Sequence, residues 1–277
     1  MSIDFRHVSS ARLALTIALL AGITVTGCSD GSPSARAGGS LTVGGNQGDF
    51  SSLQSAVNAA SDGDVITLQS VTLDEQVVVS KSITIVGNGG ASLSLSGSPQ
   101  AFGDDSSDTS SAALIIRDVS GVEIIGLSFT GPQDGIQIRN ASDIRIVDVT
   151  VTGSGDDGVD VRASTEVSIQ GRFESNGDRG IQIREGSSQV TVEDSVLAGN
   201  VDDGLRARES SAVTILRTEV SANGGDGIEL RDIFGATVAD SSMTSNLEYG
   251  LRIRSSSDVI RRNNSISGNG QGDVRID

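Results

Sequence analysis

Six segments of the chain alternate apolar and polar residues in the same order, and each segment contains one glycine at its second position. The glycines are separated by 23, 22, 24, 23 and 23 residues. Alternation with a period of two is typical of a β-strand with one buried face. A short strand is therefore predicted once in every repeat. The six copies are Asp134–Arg139, Asp157–Arg162, Arg179–Arg184, Asp203–Arg208, Asp226–Arg231 and Tyr249–Arg254.

Each repeat carries two further apolar sites, exemplified by Ile144 with Ile146 and by Val151, before a polar turn. Three short strands in about 23 residues leave no antiparallel partner within a repeat, so each must pair in parallel with its equivalent in the next repeat. This arrangement predicts a β-solenoid with a continuous narrow core. Polar turn residues in register should stack and hydrogen-bond along the axis. They are Ser154, Asn176, Asn200, Asn223, Asn246 and Asn269.

These repeats resemble the right-handed parallel β-helix of the pectin-lyase-like superfamily over residues 41–277. The segment Phe50–Ala60 fits an amphipathic helix with Phe50, Leu53, Val57 and Ala60 on one face and Asp49 as its N-cap. The predicted fold class is all-β: a right-handed parallel β-helix of about 23-residue coils with an N-terminal capping helix. Its handedness is implied by the resemblance.

The start of the chain has the features of an export signal. Residues 1–27 contain two arginines, an apolar run and a small-residue junction before Cys28, the single cysteine. Val25–Cys28 resembles a bacterial lipobox, which implies acylation at Cys28. Ser29 at the next position favours the outer membrane. Residues 28–40 are interpreted as a flexible tether and 41–277 as one β-helix domain, held at the membrane only through its lipid.

Composition excludes several chemistries. Loss of residues 1–27 removes one aspartate, two arginines and the only histidine, so the formal net charge moves from −16 to −17. Without histidine the protein has neither a Ser-His-Asp or Cys-His nucleophile nor a histidine-ligated zinc ion. A strongly acidic chain also repels nucleic acid. Nucleic acid is therefore excluded as a partner, and cations are favoured as small partners.

Asp156, Asp178 and Asp202 occupy equivalent positions two residues before successive glycines. Stacked carboxylates about 4.8 Å apart repel each other, and a calcium ion would offset that repulsion. The alternative is a solvated turn neutralised by Arg179. The sequence thus predicts a calcium site and leaves open an arginine in its place.

A second column is an outward arginine stripe that begins at Arg117. Such a stripe could hold an anionic polysaccharide along the rod, because guanidinium groups pair well with carboxylates and sulfates. The alternative is a lattice of ion pairs in which Asp160 neighbours Arg162 and Glu229 neighbours Arg231. The predicted polysaccharide-binding residues are Arg139, Arg162, Arg184, Arg208, Arg231 and Arg254.

Resemblance to the superfamily's lyases implies an alternative activity, a calcium-dependent polysaccharide lyase acting on uronate polymers with Arg184 or Arg206 as base. Asp156, Asp157 and Asp160 resemble polygalacturonase aspartates, but the Gly-His-Gly and Arg-Ile-Lys motifs of that family are missing. Few aromatic residues and short loops weigh against an enzyme. A non-catalytic spacer or adhesin is the third hypothesis.

Two other segments carry predictions. The insertion Gly97–Ser111 is the one long loop and is the candidate for specificity. Asp273–Asp277 begins a further coil with no capping helix after it, and Arg261 falls at a core position. An open parallel edge invites pairing with another chain, which predicts end-to-end self-association.

Overall fold

The computed structural model describes residues 38–45, 48–96 and 111–277. These residues form a parallel solenoid of about 10 turns with about 23-residue spacing. Every strand pair is parallel, as in Ile136–Arg139 against Val159–Arg162. The predicted all-β solenoid with a short N-terminal helix is confirmed. The export signal, Cys28, most of the tether and residues 97–110 of the insertion lie outside the described residues.

The helix α1 spans Leu53–Ala59. The strands before residue 111 are β1 (Ser40–Val43), β2 (Val65–Gln69), β3 (Thr72–Asp74), β4 (Val77–Val79), β5 (Thr84–Asn88) and β6 (Ser92–Ser94). The strands after it are β7 (Leu114–Arg117), β8 (Ser120–Ile125), β9 (Ser128–Thr130), β10 (Ile136–Arg139), β11 (Ser142–Thr152), β12 (Val159–Arg162), β13 (Thr165–Glu174), β14 (Ile181–Arg184), β15 (Ser188–Glu193), β16 (Val196–Ala198), β17 (Leu205–Leu216), β18 (Glu219–Ser221), β19 (Ile228–Ala239), β20 (Ser242–Thr244), β21 (Tyr249–Arg254), β22 (Ser257–Arg262), β23 (Ser265–Ser267) and β24 (Gly272–Ile276).

Each coil contributes one strand to each of three sheets. The first sheet stacks β4, β7, β10, β12, β14, β17, β19, β21 and β24; the second runs from β1 to β22; the third runs from β3 to β23. Some long strands continue around a corner, and β17 and β19 pass from the first sheet to the second. Glycine occupies the second position of each repeated segment because the backbones of adjacent coils approach closely there. A β-carbon on Gly158 would lie 2.5 Å from the carbonyl oxygen of Gly180.

Inward side chains of all three sheets form one apolar core. Ile138, Ile169 and Phe173 are fully buried there. The predicted asparagine column stacks at one corner, where each side-chain amide donates to the next, as in Asn176 Nδ2 to Asn200 Oδ1 at 2.9 Å. Amide stacking satisfies polar groups that the coil buries.

Two further ladders join the coils at the other corners. The N–H of Ser164 donates to Ser187 Oγ at 3.3 Å, and the N–H of Thr218 donates to Ser241 Oγ at 3.1 Å. The left-handed turn conformation falls just before the asparagines, at residues such as Ser175 with φ 57°. The asparagines therefore serve as hydrogen-bonding groups, while their neighbours adopt the strained conformation.

The N-terminal helix differs in detail from its prediction. Its N-cap is Ser52, whose hydroxyl accepts from the N–H of Ser55; Asp49 instead accepts from Thr42 at 2.9 Å. Phe50 lies before the helix, in a bridge to Val43. The packing face is formed by Leu53, Ala56, Val57 and Ala60.

At seven residues, the one helix of the described segments is too short to span a bilayer, and these segments contain no other candidate for a membrane helix. At the other end, β24 pairs with β21 and so starts the predicted further coil. Arg261 aligns with the core residue Val238 but is exposed.

Candidate functional site

The outward surface of the first sheet is the charged face, which we define as the outward residues of β10, β12, β14, β21 and the first parts of β17 and β19, with the turn before each strand. The arginine stripe follows this face in register. Arg117, Arg139, Arg162 and Arg184 are consecutive Cα partners, and Arg208, Arg231 and Arg254 are consecutive partners. The Cα atoms of these partner arginines are thus one strand spacing apart.

The first part of the stripe is neutralised internally. The carboxylate of Asp160 is fully buried and accepts from Arg162 Nε at 2.5 Å. It also accepts from Arg184, with Nε at 3.1 Å and Nη2 at 2.8 Å. One aspartate therefore compensates two arginines of the stripe, as the ion-pair alternative requires for Arg162.

The second part of the stripe is neutralised less completely. Glu229 pairs with Arg254 at 3.2 Å and with Arg206 at 2.6 Å, instead of the expected Arg231. Arg231 reaches only Asp232, at 3.4 Å, and its side chain is 53% exposed. Arg208 makes no ion pair with any described residue, and its Nε atom is shielded from solvent without a hydrogen-bond acceptor.

A polar groove of about 220 Å³ opens on this second part of the face. Five of the site residues predicted from sequence line it: Asp202, Arg206 and the last three arginines of the stripe. Asp178, Arg184, Arg139 and Arg162 lie outside it. The lining residues are Asp202, Asp203, Arg206, Arg208, Asp226, Glu229, Arg231, Glu248, Arg252 and Arg254.

Arg206, one of the two arginines considered as a base, contacts Asp202 at 3.0 Å, Asp203 at 2.7 Å and Glu229 at 2.6 Å. Burial lowers its pKa, but the charges of Asp203 and Asp202 outweigh burial and raise the pKa above its usual value. Arg184 behaves alike, because the hydrogen bond and charge of Asp160 outweigh burial and raise its pKa. Both side chains are charged donors in this arrangement.

The three aspartates predicted to bind calcium lie in register, but an arginine lies among them. Arg179 Nη1 is 2.5 Å from Asp178 Oδ2, and its Nη2 is 3.1 Å from Asp202 Oδ2. A calcium ion shared by Asp156, Asp178 and Asp202 would have to displace this guanidinium group from two carboxylates. Their carboxylate oxygens are of the type that calcium prefers, and calcium binding here stays a prediction.

A buried aspartate column runs directly before the glycines. The sequence singled out one of its members, Asp157, through its resemblance to a polygalacturonase aspartate, and did not indicate that the column is buried. Asp134, Asp157, Asp203 and Asp226 are at most 3% exposed. Each carboxylate accepts the backbone N–H of the equivalent residue in the next coil, as in Asp157 N–H to Asp134 Oδ1 at 3.2 Å. The available signal was the recurrence of aspartate directly before glycine.

Burial dominates the protonation of this column. It raises the pKa of Asp134 to about 8 and the pKa of Asp157 and Asp203 to about 7. It raises the pKa of Asp226 to about 6. Carboxylate oxygens of Asp134, Asp156 and Asp157 lie within 4.8 Å of one another, so the acidic cluster nearest to a metal-binding arrangement includes only one of the three predicted ligands.

The aromatic residues of the repeats have three different environments. Phe173 is fully buried in the core. The ring of Tyr249 has Arg252 at 5.7 Å and Arg275 at 5.9 Å from its centroid, which is within cation–π range. Phe234 is 64% exposed and lies around the corner from the charged face.

Comparison with known proteins agrees with this architecture. The model of the family described as "Right handed beta helix region" matches residues 112–269, more than half of the chain. A solved pectate lyase is 14% identical with a TM-score of 0.59, over 78% of this chain and 67% of its own. A variant of the periplasmic alginate epimerase AlgG is 14% identical with a TM-score of 0.60, over 78% of this chain and 57% of its own.

The chain spans about two thirds of the lyase and little more than half of the epimerase. At this level of identity the likeness establishes the fold alone. No curated protein matches the sequence.

Proposed function

Because the chain belongs to the family of right-handed β-helix regions, we propose that it uses its charged face to bind an anionic polysaccharide without cleaving it. The observation that carries this proposal is Arg208. Its guanidinium group has no ion pair among the described residues, and its Nε atom is shielded without an acceptor. The Arg208 side chain as a whole is partly exposed, so its guanidinium charge can pair with an external carboxylate or sulfate.

The surroundings of Arg208 suit a linear anion. Arg231 and Arg254 follow in the next two coils, each about 4.8 Å further along the rod. Arg231 is largely exposed and has a single partner at 3.4 Å. Regularly spaced donors match a polymer that carries one acidic group per residue, and the acidic remainder of the chain would repel that polymer from other faces.

Two structurally similar proteins support a polysaccharide as the ligand class. One is a pectate lyase and the other an alginate epimerase, so their names identify pectate and alginate as suitable probes. Binding without turnover is supported by Arg184 and Arg206, because neighbouring carboxylates raise the pKa of both side chains. A general base must be unprotonated at the working pH before it can accept a proton from the substrate.

The cellular setting rests on sequence alone. We propose an exported protein anchored at the outer membrane through an acylated Cys28, which mass spectrometry of the membrane-extracted protein tests. End-to-end association through β24 stays a prediction as well. Among the described strands β24 pairs only with β21, and sedimentation velocity measures whether two copies associate.

The groove proposal is tested by titrating alginate and pectate into the protein with calorimetry. Arg208→Gln combined with Arg231→Gln should weaken binding about tenfold or more, since each removes one charge-assisted contact. Arg145→Gln combined with Arg172→Gln is the matched control. Each control residue is an exposed arginine that pairs with its own glutamate outside the charged face. Loss of these two arginines should leave the affinity for the polymers nearly unchanged.

The same titrations separate the three hypotheses. Ultraviolet absorbance from new unsaturated chain ends would establish a lyase and overturn binding without turnover. Equal loss of affinity in both double variants would indicate general charge attraction in place of a defined groove. Failure to bind either polymer would leave the spacer or adhesin.

A further inference from the structure

One outward column of the second sheet consists of hydroxyl side chains with a single exception. Cα partners place Ser120, Ser142, Thr165, Ser188, Ser211, Phe234 and Ser257 in one register. Six coils therefore carry serine or threonine where one carries phenylalanine, and that ring is 64% exposed. The other coils show that the fold needs only a small hydroxyl residue here.

Phe234 lies at the edge of a surface depression of about 440 Å³. Gly186 also lines the depression, and nothing lies within 4 Å of the place where its β-carbon would be. Four serines, among them Ser211 and Ser257 in the adjacent coils, line the depression together with Phe234, Glu209 and Asp232. The depression thus combines one exposed aromatic ring with several side chains that can form hydrogen bonds.

This combination matches the two chemical characters of a pyranose ring. A sugar presents C–H groups on a face, which lose contact with water when they stack on an aromatic ring. It presents hydroxyl groups at its edges, which exchange hydrogen bonds with serines and donate to carboxylates. Glu209 would repel a uronate or a sulfated sugar at short range, whereas the charge of Asp232 is partly compensated by Arg231 at 3.4 Å.

We propose that Phe234 is the stacking platform of a binding site for a neutral sugar residue, separate from the arginine stripe. The site is reached from Arg231 along β19, three residues or roughly 10 Å further around the corner. It does not depend on the groove, so either site can fail without the other. Phe234 accordingly defines a second ligand class for the same rod.

The site can be tested by nuclear magnetic resonance of protein carrying ring-labelled phenylalanine. The signal of Phe234 is the one missing from Phe234→Ser, the residue that neighbouring coils carry. Probes are neutral hexasaccharides of glucose, mannose, galactose, xylose and N-acetylglucosamine. At least one should shift the Phe234 signal, with affinity lost about tenfold or more in Phe234→Ser and kept in Phe234→Tyr. An alginate titration of the same samples reports the groove independently.

Three results would overturn this proposal. The first is that no hexasaccharide moves the Phe234 signal. The second is a shift with protein concentration and without sugar, which would mean that the ring contacts another protein surface. The third is a clear fall in the melting temperature of Phe234→Ser, which would make the ring a structural residue.

Discussion

The coils from Asp134 to Arg184 and those from Asp202 to Arg254 are built from the same phrase, yet they neutralise their charges differently. In the first region a single buried carboxylate, Asp160, binds both Arg162 and Arg184. In the second region Glu229 is shared by Arg206 and Arg254. Arg208 is left without an ion pair among the described residues. The first region therefore shares one acid between two stripe arginines, and under our proposal the second region is the one that binds a ligand.

The difference originates at one position of the repeat, the middle outward residue of the first-sheet strand. In the first region this position is Gln137, Asp160 and Gln182, so one acid serves the neighbouring stripe arginines. In the second region it is Arg206, Glu229 and Arg252. Glu229 therefore pairs with Arg206 as well as with Arg254, while Arg252 has Glu248 as a partner at 3.6 Å. The same coil thus carries either a lattice of ion pairs or an incompletely paired set of arginines, depending on side chains that do not affect the core.

The largest expected effect is on stability as a function of pH, because both regions bury aspartates. Each of the four has a folded-state pKa above its usual 3.8, between about 6 and about 8. Such a group favours folding when it is protonated, and this contribution is lost as pH rises through the folded-state pKa. The free energy of unfolding should fall by more than about 3 kcal/mol from pH 5 to pH 8, as urea titrations can measure.

Single variants locate this effect in each region. Asp134→Asn should flatten the pH dependence over the whole range from pH 5 to about pH 8, the folded-state pKa of Asp134. Asp226→Asn should flatten it only up to about pH 6. A stability that rises between pH 5 and pH 8 would contradict the burial of protonated aspartates in both regions.

A somewhat smaller effect is expected from removing the shared acid of the first region with Asp160→Asn. The carboxylate is fully buried and has two arginine partners, and the loss of one member of a buried ion network leaves the others uncompensated. The free energy of unfolding should fall by about 3 kcal/mol, measured by urea denaturation at pH 6. Arg162 and Arg184 would then resemble Arg208, and alginate should bind more tightly than to wild type.

The matched control for this variant is Glu174→Gln. It breaks an ion pair with Arg172 whose side chains are 54% and 28% exposed, so the loss should be about 0.5 kcal/mol or less. Similar destabilisation by the two variants would show that Asp160 has no special role. Weaker alginate binding to Asp160→Asn would remove the distinction between the first and second regions.

The smallest effect concerns Arg179, which connects the two regions through Asp157, Asp178 and Asp202. Arg179→Gln should lower stability by about 1–2 kcal/mol, because the two outer carboxylates are partly exposed and screened. Calcium should then raise the melting temperature of the variant by several degrees and of the wild type much less. Calorimetry with and without calcium measures both.

Arg172→Gln, outside the charged face, is the control for Arg179→Gln and should gain no response to calcium. An equal and large calcium response of wild type and Arg179→Gln would favour the alternative, a metal ion bound beside the guanidinium group. No response in either protein would mean that these aspartates tolerate their mutual repulsion in water.

The repeat made most of the fold predictable. Alternation in six copies specified the strands of the first sheet, and the asparagine column specified its own stacking, because in-register residues can only meet their equivalents. The helix boundary was wrong because Ser52 and Asp49 are both good N-caps. Ser52 is favoured by Glu75, which lies between β3 and β4 and accepts the N–H of Leu53 at 2.7 Å.

The site was only partly predictable. The arginine stripe follows from register, but its partners depend on whether a side chain turns to the coil above or below. Glu229 illustrates this, since it contacts Arg206 and Arg254 and not the expected Arg231. The burial of Asp134 was likewise hidden, because aspartate before glycine is typical of exposed turns. Its hydrogen bond to the next coil emerges only when the turns are stacked.

Pairing of every strand with its equivalent one coil away also bears on inheritance. Duplication of one coil would rebuild the asparagine, serine and aspartate ladders at both new junctions, since each coil meets only its two neighbours. An insertion of another length within the strands would shift all of these ladders at once. The number of arginine steps along the rod can therefore change by whole coils, and a single coil can carry a residue such as Phe234 while the others carry a hydroxyl residue.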